Sequence, residues 1–469
     1  MNMIVPRSRL LFWVALVVLP FAFLATAVAH TAGISLLFIG GLFLAVLGDA
    51  IGARRSLAGI GVELPPVARF SKDRSGSLEL RLRNARRRKA NIRLAFAWPR
   101  EIQVASQEMS VGLPDTSEWS LLAWPCTPRK RGNLRLTAAY LEGRSPLGFW
   151  AVRRAVPVQS ELRVYPNLLG ERKNLAALFL NRGAGGLHAQ RQVGKGRDFE
   201  KVREYIPGDG YDEIHWKATA RRGRPITKVF QVEKTQEVYV LADASRLSAR
   251  PTPPGAKSGV QPPKGSDEAA LRPAGSALQQ ESPTLERYVT AALILGLVAE
   301  RQGDLFGVLA FTDKVERFAR AKNGQAHYRA CRDALYTLEP KIVTPDFEEL
   351  SAFIRTRLRR RALLVFLTAL DDPAIAESFV RNVDLLRRHH LVLVNMLRPP
   401  GVAPLFSNSA IADVDEMYAE LAGHLRWQAL RETQKVLERR GVRFSLLADE
   451  RLSAEMVSQY LNVKQRQLL

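Results

Sequence analysis

The sequence predicts a multi-domain chain: a transmembrane helical hairpin, a small antiparallel β-sandwich, then an α/β domain with a mostly parallel sheet. Three observations carry this prediction. Two long apolar runs stand near the N-terminus, alternating strand patterns separated by Pro and Gly follow, and the C-terminal half alternates apolar strands with amphipathic helices. At 469 residues the chain exceeds one ordinary core, and its 46% hydrophobic content is that of a folded protein.

The hairpin occupies residues 1–56. LLFWVALVVLPFAFLATAVA, from Leu10, is uncharged and long enough to cross a bilayer; ISLLFIGGLFLAVLGDAI follows after the link HTAG. The first run is too long for the apolar part of a secretory leader, and a second span follows at once, so a hairpin is expected. Arg7 and Arg9 precede the first span, Arg54 and Arg55 follow the second, and the link has no Lys or Arg. Both ends are therefore expected on the cytoplasmic face of the inner membrane. Asp49 stands near the end of the second span, where a carboxylate is expected to reach the headgroups.

Residues 60–166 read as the sandwich. SGSLELRLRNARRRKANIRLAFAWP alternates apolar and polar residues around a basic turn, and GNLRLTAAYLEGRSPLGFWAVRRAV repeats the scheme. The turn NARRRKA is read as a charged hairpin tip in preference to a phosphate site. Residues 167–236 hold a linker and a charged arm; Gly183, Gly185 and Gly186 form a joint or an anion nest, a joint being favoured.

Residues 237–469 carry the α/β pattern. EVYVLADAS is a buried strand, and the Pro-, Gly- and Ser-rich stretch 249–283 reads as a flexible insertion. LERYVTAALILGLVAERQG, HYRACRDALYTL, FEELSAFIRTRL and IAESFVRNVDLLRRH are helices; LFGVLAFTD, LLVFLTAL, LVLVNML and FSLLAD are strands. Helices on both faces of such a sheet leave the carboxyl ends of the strands as its working edge. Asp243, Ser245, Thr312, Asp313, Thr368 and Asp371 fall at those ends.

Lys and Arg number 69 against 46 Asp and Glu, a formal net charge of +23. Such an excess suits nucleic acid, anionic lipid or an acidic protein. The densest basic run, RTRLRRRA from Arg355, lies late in a helix where cations suit the dipole, and it has no aromatic interleaving. No specific nucleic acid is expected, though a basic surface binding nucleic acid or anionic lipid stands as the alternative reading. The two cysteines, Cys126 and Cys331, read as buried thiols in a reducing compartment. G-x-S-x-G, H-E-x-x-H, P-loop and Rossmann patterns do not occur. His215 beside Asp212 and Glu213 has no accompanying nucleophile. The expectation is a protein that is not an enzyme and has no cofactor beyond a divalent cation.

The stretch GKGRDFEKVREYIPGD, from Gly194, followed by IHWKATAR closely resembles the signature of domain-of-unknown-function family fifty-eight. RGNLRL and SPLGFW are similar to that family's upstream segments, with Ser145 where Asp is usual. The strand ending in D-A-S-R resembles the first metal-adhesion segment, D-x-S-x-S, of von Willebrand factor A-type domains. The resemblance implies a von Willebrand factor A-like fold and a partnership with a MoxR-type AAA+ ATPase. It also implies a Mg²⁺ site at Asp243, Ser245, Ser248 and Thr344. This set is degenerate: Leu247 replaces the second Ser, with Ser248 one step late, and Ala369 replaces a later Asp, with Asp371 and Asp372 slightly beyond.

In the arm, D-F-E-K-V-R-E-Y alternates charge with Phe199, Val202 and Tyr205, PGDG is a turn, and Ile214 and Trp216 alternate with His215 and Lys217. A hairpin-like arm against the α/β sheet is expected, with Trp216 packed beneath it. Ion pairs of Arg203 or Arg221 with Asp198, Asp209 or Asp212 are expected. They either present a recognition surface or form a buried network that fixes the arm. Asp198, Arg203, Glu204, Tyr205, Asp209, Trp216, Lys217 and Arg221 are the candidate partner-binding residues. The function expected is a membrane-anchored, non-enzymatic adaptor that works with the ATPase in assembling or activating a protein complex.

Overall fold

The computed structural model describes residues 2–27, 31–171, 193–207, 210–231, 236–252, 282–405, 407 and 414–466. It divides into two units, Met1–Asn167 and Leu168–Leu469.

The first unit opens with a strand the sequence did not announce. β1 (Asn2–Pro6) pairs antiparallel with β10 (Trp150–Tyr165), Ile4 opposite Val152. Two apolar helices follow, α1 (Ser8–Ala27) and α2 (Ala32–Ala53), each long and apolar enough to cross a membrane. Phe21 and Phe38 stack between them, with ring centroids 4.7 Å apart. Because β1 precedes the pair and β10 follows it in one sheet, the chain enters and leaves the helix pair on the same side.

The remaining strands form two sheets. One runs β1, β10, β9 (Gly132–Arg144), β5 (Ala90–Phe96), β7 (Glu108–Leu113), with β3 (Val67–Ser71) parallel to β10. The other runs β2 (Ile60–Glu63), β4 (Gly76–Asn84), β8 (Trp119–Pro128), β6 (Ile102–Val104). In β4, Leu78, Leu80 and Leu82 are buried while Glu79, Arg81 and Arg83 are exposed, the period-two signature of a half-buried strand. Their side chains join Leu94, Leu141, Val152 and Leu162 of the other sheet in one core. Trp124 completes it edge-on to Phe96 at 5.3 Å.

Asp49 departs from expectation. It is buried, not at the headgroups. One carboxylate oxygen accepts from Ser145 Oγ at 2.6 Å and from the Phe149 amide at 3.1 Å; the other accepts from the Leu147 amide at 2.8 Å. Trp150 Nε1 donates to the Val46 carbonyl at 3.0 Å. The SPLGFW turn thus supplies the donors that a carboxylate at the end of an apolar helix requires.

The second unit holds a six-stranded sheet in the order β17 (Val315–Lys322), β16 (Leu305–Phe311), β13 (Glu237–Asp243), β18 (Ala362–Leu367), β19 (Leu391–Leu397), β20 (Arg443–Leu447). All neighbours are parallel except β17, which returns antiparallel to β16 as an edge strand. Val238 and Val240 face helices Thr284–Arg301, Gln325–Leu335 and Leu452–Gln465. Tyr239 and Leu241 face helices Phe347–Arg357, Pro373–Leu386 and Val414–Arg439. Burial on both faces explains why these strands read as continuous apolar runs. The helix starts are set locally. Asp346 accepts from the Glu348 and Glu349 amides, and Asp372 accepts from Ala374 with Pro373 behind it. At the opposite edge, buried Asp304 accepts from Tyr460 Oη, from Lys464 Nζ at 2.7 Å and from the Gln236 amide at 3.1 Å, fastening the last helix to the start of β16.

Most of the expected insertion lies outside the described residues; its two roots, β14 (Pro251–Thr252) and β15 (Ser282–Pro283), pair antiparallel. Gly183, Gly185 and Gly186 also lie outside them.

Candidate functional site

The first candidate site is the carboxyl edge of the sheet. β13 ends at Asp243, which is fully buried. Oδ1 accepts from the Ser245 amide at 2.8 Å and Oδ2 from Thr368 Oγ1 at 2.6 Å. Burial pushes its pKa above the ordinary carboxylate value, and the hydrogen bonds from Ser245 and Thr368 pull it partly back. Ser245 is also buried; its Oγ accepts from the Leu247 amide at 3.3 Å, which starts a 3-10 turn. Ser248 Oγ donates to the Ser245 carbonyl at 2.9 Å. Thr344 is exposed, on a loop tied to the turn by the Arg246 amide donating to the Val343 carbonyl at 3.0 Å.

The residues that depart from the metal pattern have other employment. Leu247 and Ala369 are buried in the apolar core of this face. Asp371 pairs with Arg250, and Asp372 caps its helix with Arg246 Nη2 at 3.8 Å. Tyr288 is fully buried beside them. Burial raises its pKa far above the ordinary phenol value, and the Asp243 carboxylate pushes the same way. Thr312 Oγ1 donates to Asp313 at 2.8 Å, in a separate cluster with Glu316 and Lys341. Among the described residues there is no group of three or more His, Cys, Asp or Glu side chains placed to hold a metal. A hard cation wants several accessible oxygens, and here one carboxylate is sealed, one faces a guanidinium, and a Leu stands for a hydroxyl. The residues present do not fit the divalent cation that the sequence resemblance implies.

The second candidate site is the arm. β11 (Val193–Glu204) pairs antiparallel with β12 (Ile226–Gln231), Arg203 opposite Thr227 and Glu204 opposite Ile226. Between them lies a short helix, Trp216–Arg222. His215 Nδ1 accepts from the Ala218 amide at 3.2 Å to start it, and Gly223, at φ +67°, ends it in the left-handed region. Thr219 Oγ1 accepts from the Ile226 amide at 3.0 Å, tying the helix to β12. Ile214 and Ile226 are the buried apolar residues beneath.

The helix corrects the expectation for Trp216. The alternation I-H-W-K continues as a helix instead of a strand, so Trp216 projects outward and is 68% exposed. Tyr211, 78% exposed, and Ile206, 56% exposed, share the arm with it. Lys217, Arg221 and Arg222 are exposed on the helix. Tyr205 is half-buried, its ring 6.4 Å from that of Tyr211. Arg203 Nη1 donates to the Glu204 carbonyl at 3.2 Å. Glu204 pairs with Arg224 at 2.7 Å, an exposed ion pair that the sequence did not single out. Asp198 lies in β11 but its side chain, like that of Asp212 and all of Asp209, is outside the described residues. Sequence reasoning also missed Arg246 and Arg250 at the strand tips, whose only signal was their spacing in DASRLSAR.

Comparison with known proteins finds one family model that is similar to part of the arm and much of the sheet. No curated protein matches the chain. Among solved structures, an aerotolerance-related membrane protein from Bacteroides fragilis is 14% identical, with a TM-score of 0.28, over 48% of this chain and 98% of that one. Proximal thread matrix protein 1 from the mussel byssus is 11% identical, with a TM-score of 0.24, over 48% of this chain and 44% of that one. A protein of unknown function from Porphyromonas gingivalis is 11% identical, with a TM-score of 0.17, over 37% of this chain and 98% of that one. Residues 201–254 and 274–402 match the model described as protein of unknown function DUF58.

Proposed function

We propose that this protein is a non-enzymatic docking platform, held at the cytoplasmic face of the inner membrane by its helix pair. Its arm engages a MoxR-type AAA+ ATPase during assembly or activation of a protein complex. The observation that carries the reading is the arm surface: Trp216, Tyr211 and Ile206 stand in solvent beside Lys217, Arg221 and Arg222. Large exposed apolar groups edged with charge mark macromolecular contact, and Trp, Tyr and Arg dominate the energetics of such contacts. A two-stranded sheet is marginal in water, so it gains order from a partner. At the strand tips, Asp243 is committed to Ser245 and Thr368, which suits a scaffold better than a reacting group. The choice of ATPase rests on the family resemblance in the arm.

The test is binding of the purified host MoxR-type ATPase to the full chain in lipid nanodiscs, with ATP and with ADP. Nucleotide-dependent binding, weakened about 30-fold by Trp216→Ala as for a contact residue worth about 2 kcal/mol, supports the proposal. Equal binding by the wild type, Trp216→Ala and Arg221→Glu would refute the arm as the contact.

A second reading covers part of the basic excess. Arg9, Arg54 and Arg55 are exposed at the ends of the helix pair, where anionic headgroups would meet them. Salt-sensitive binding to anionic vesicles, beyond that of neutral vesicles, tests it.

A further inference from the structure

We infer that the strand-tip site works without a divalent cation, with the Arg250 guanidinium as its built-in positive charge and as the tie between sheet and insertion. Both oxygens of Asp243 are engaged inside the protein, and no part of the side chain meets solvent. An incoming ion would have to break those bonds before touching it. Leu247 and Ala369 have traded two potential oxygen ligands for core packing.

The carboxylates nearer the surface are Asp371 and Asp372, and Arg250 Nη1 holds the Asp371 Oδ2. Its Oδ1 is buried without a hydrogen-bond partner, so the guanidinium is the carboxylate's principal compensation. A planar guanidinium suits this task because it meets a carboxylate edge-on and keeps its charge at every physiological pH. Arg246, 3.8 Å from Asp372, repeats the arrangement one turn earlier. Asp371 and Asp372 therefore each face a fixed cation of the chain itself, and Asp243 is sealed by Ser245 and Thr368, leaving no unbalanced negative pocket for a metal.

Arg250 also works through its backbone. Its carbonyl accepts from the Thr284 amide at 2.9 Å and from Thr284 Oγ1 at 3.1 Å. Residue 250 precedes one root of the insertion and residue 284 follows the other, so the two ends meet at this carbonyl while the side chain reaches across to Asp371. Removing the guanidinium loosens the insertion's root from the sheet edge as well as uncovering an acid.

The experiment uses the full chain in detergent or nanodiscs. Thermal melting is measured in EDTA, Mg²⁺ and Mn²⁺, with Mn²⁺ binding followed by electron paramagnetic resonance. The expected result is one melting temperature in all three conditions and no bound Mn²⁺ that depends on Asp243. In parallel, Arg250→Gln and Asp371→Asn each lower the melting temperature, and the double variant melts no lower than Arg250→Gln alone. Bound Mn²⁺ that disappears in Asp243→Asn would overturn the inference, as would melting shifts of the two single variants that simply add.

Discussion

Replacing Asp49 with Ala removes the carboxylate that takes three hydrogen bonds from the SPLGFW turn onto the second apolar helix, leaving the Trp150 Nε1 bond to the Val46 carbonyl. Ser145 Oγ, at 2.6 Å, keeps the hydrogen bond it accepts from the Trp150 amide at 3.0 Å, and its hydroxyl hydrogen is free to rotate. The amides of Leu147 and Phe149, at 2.8 and 3.1 Å from the carboxylate, have no such freedom. A buried donor left without its acceptor costs about 1–3 kcal/mol, so two cost about 2–6 kcal/mol. Relief from burying the carboxylate offsets part of this, and about 3 kcal/mol is expected. Asp49→Asn keeps one acceptor oxygen and should lose about half as much. Hydrogen exchange of the full chain in nanodiscs reads the effect residue by residue. A loss of about 3 kcal/mol accelerates exchange at amides 147 and 149 roughly 100-fold, because each 1.4 kcal/mol is tenfold. Unchanged exchange at both amides in Asp49→Ala would refute the contact and return Asp49 to the headgroups.

Three further outcomes concern other buried groups. Asp304→Ala leaves Tyr460 without its acceptor and the largely buried Lys464 with only the Gln302 carbonyl, and should cost about 3 kcal/mol, read as a lower melting temperature of the α/β unit; no change would remove Asp304 as the fastening of the last helix. Burial lifts Cys331 to about 12 and Cys126 to about 11, so neither thiol should react with iodoacetamide at neutral pH until the chain unfolds; mass spectrometry of native and denatured protein checks this. Asp243 has a folded-state pKa above its unfolded value of 3.8, so the folded state binds its proton more tightly. Its contribution is full below 3.8 and is lost as pH rises through the folded pKa; Asp243→Asn, which cannot ionise, should flatten that part of the stability profile, and an unaltered profile would contradict the burial argument.

The features readable in the sequence were those written in local periodicity. Long apolar runs gave the helix pair, the Leu78–Leu80–Leu82 alternation gave a half-buried strand, and continuous runs such as LLVFL gave a sheet covered on both faces. The contacts that define the sites are of another kind. Asp49 and Ser145 are 96 positions apart, and Arg250 and Asp371 are 121 apart; nothing local in either segment announces its partner. β1 escaped notice because its five residues, NMIVP, sit almost against the first apolar run and look like its flank. Trp216 was misplaced because two alternations are too few to separate a strand from a helix, and His215 and Gly223 decide the matter as cap and terminator. Leu247 and Ala369 already stood out against the metal pattern, but only the structure shows that both are buried and that Asp371 is taken by Arg250.

The proposed docking stands or falls on whether the arm meets a cytosolic ATPase. A photo-crosslinking residue at position 216, in the full chain in intact cells, tests it most directly. A covalent adduct with a MoxR-type AAA+ ATPase that fades when ATP is depleted is the expected outcome. Adducts with lipid alone, or none with any AAA+ protein while the ATPase is abundant, would contradict it.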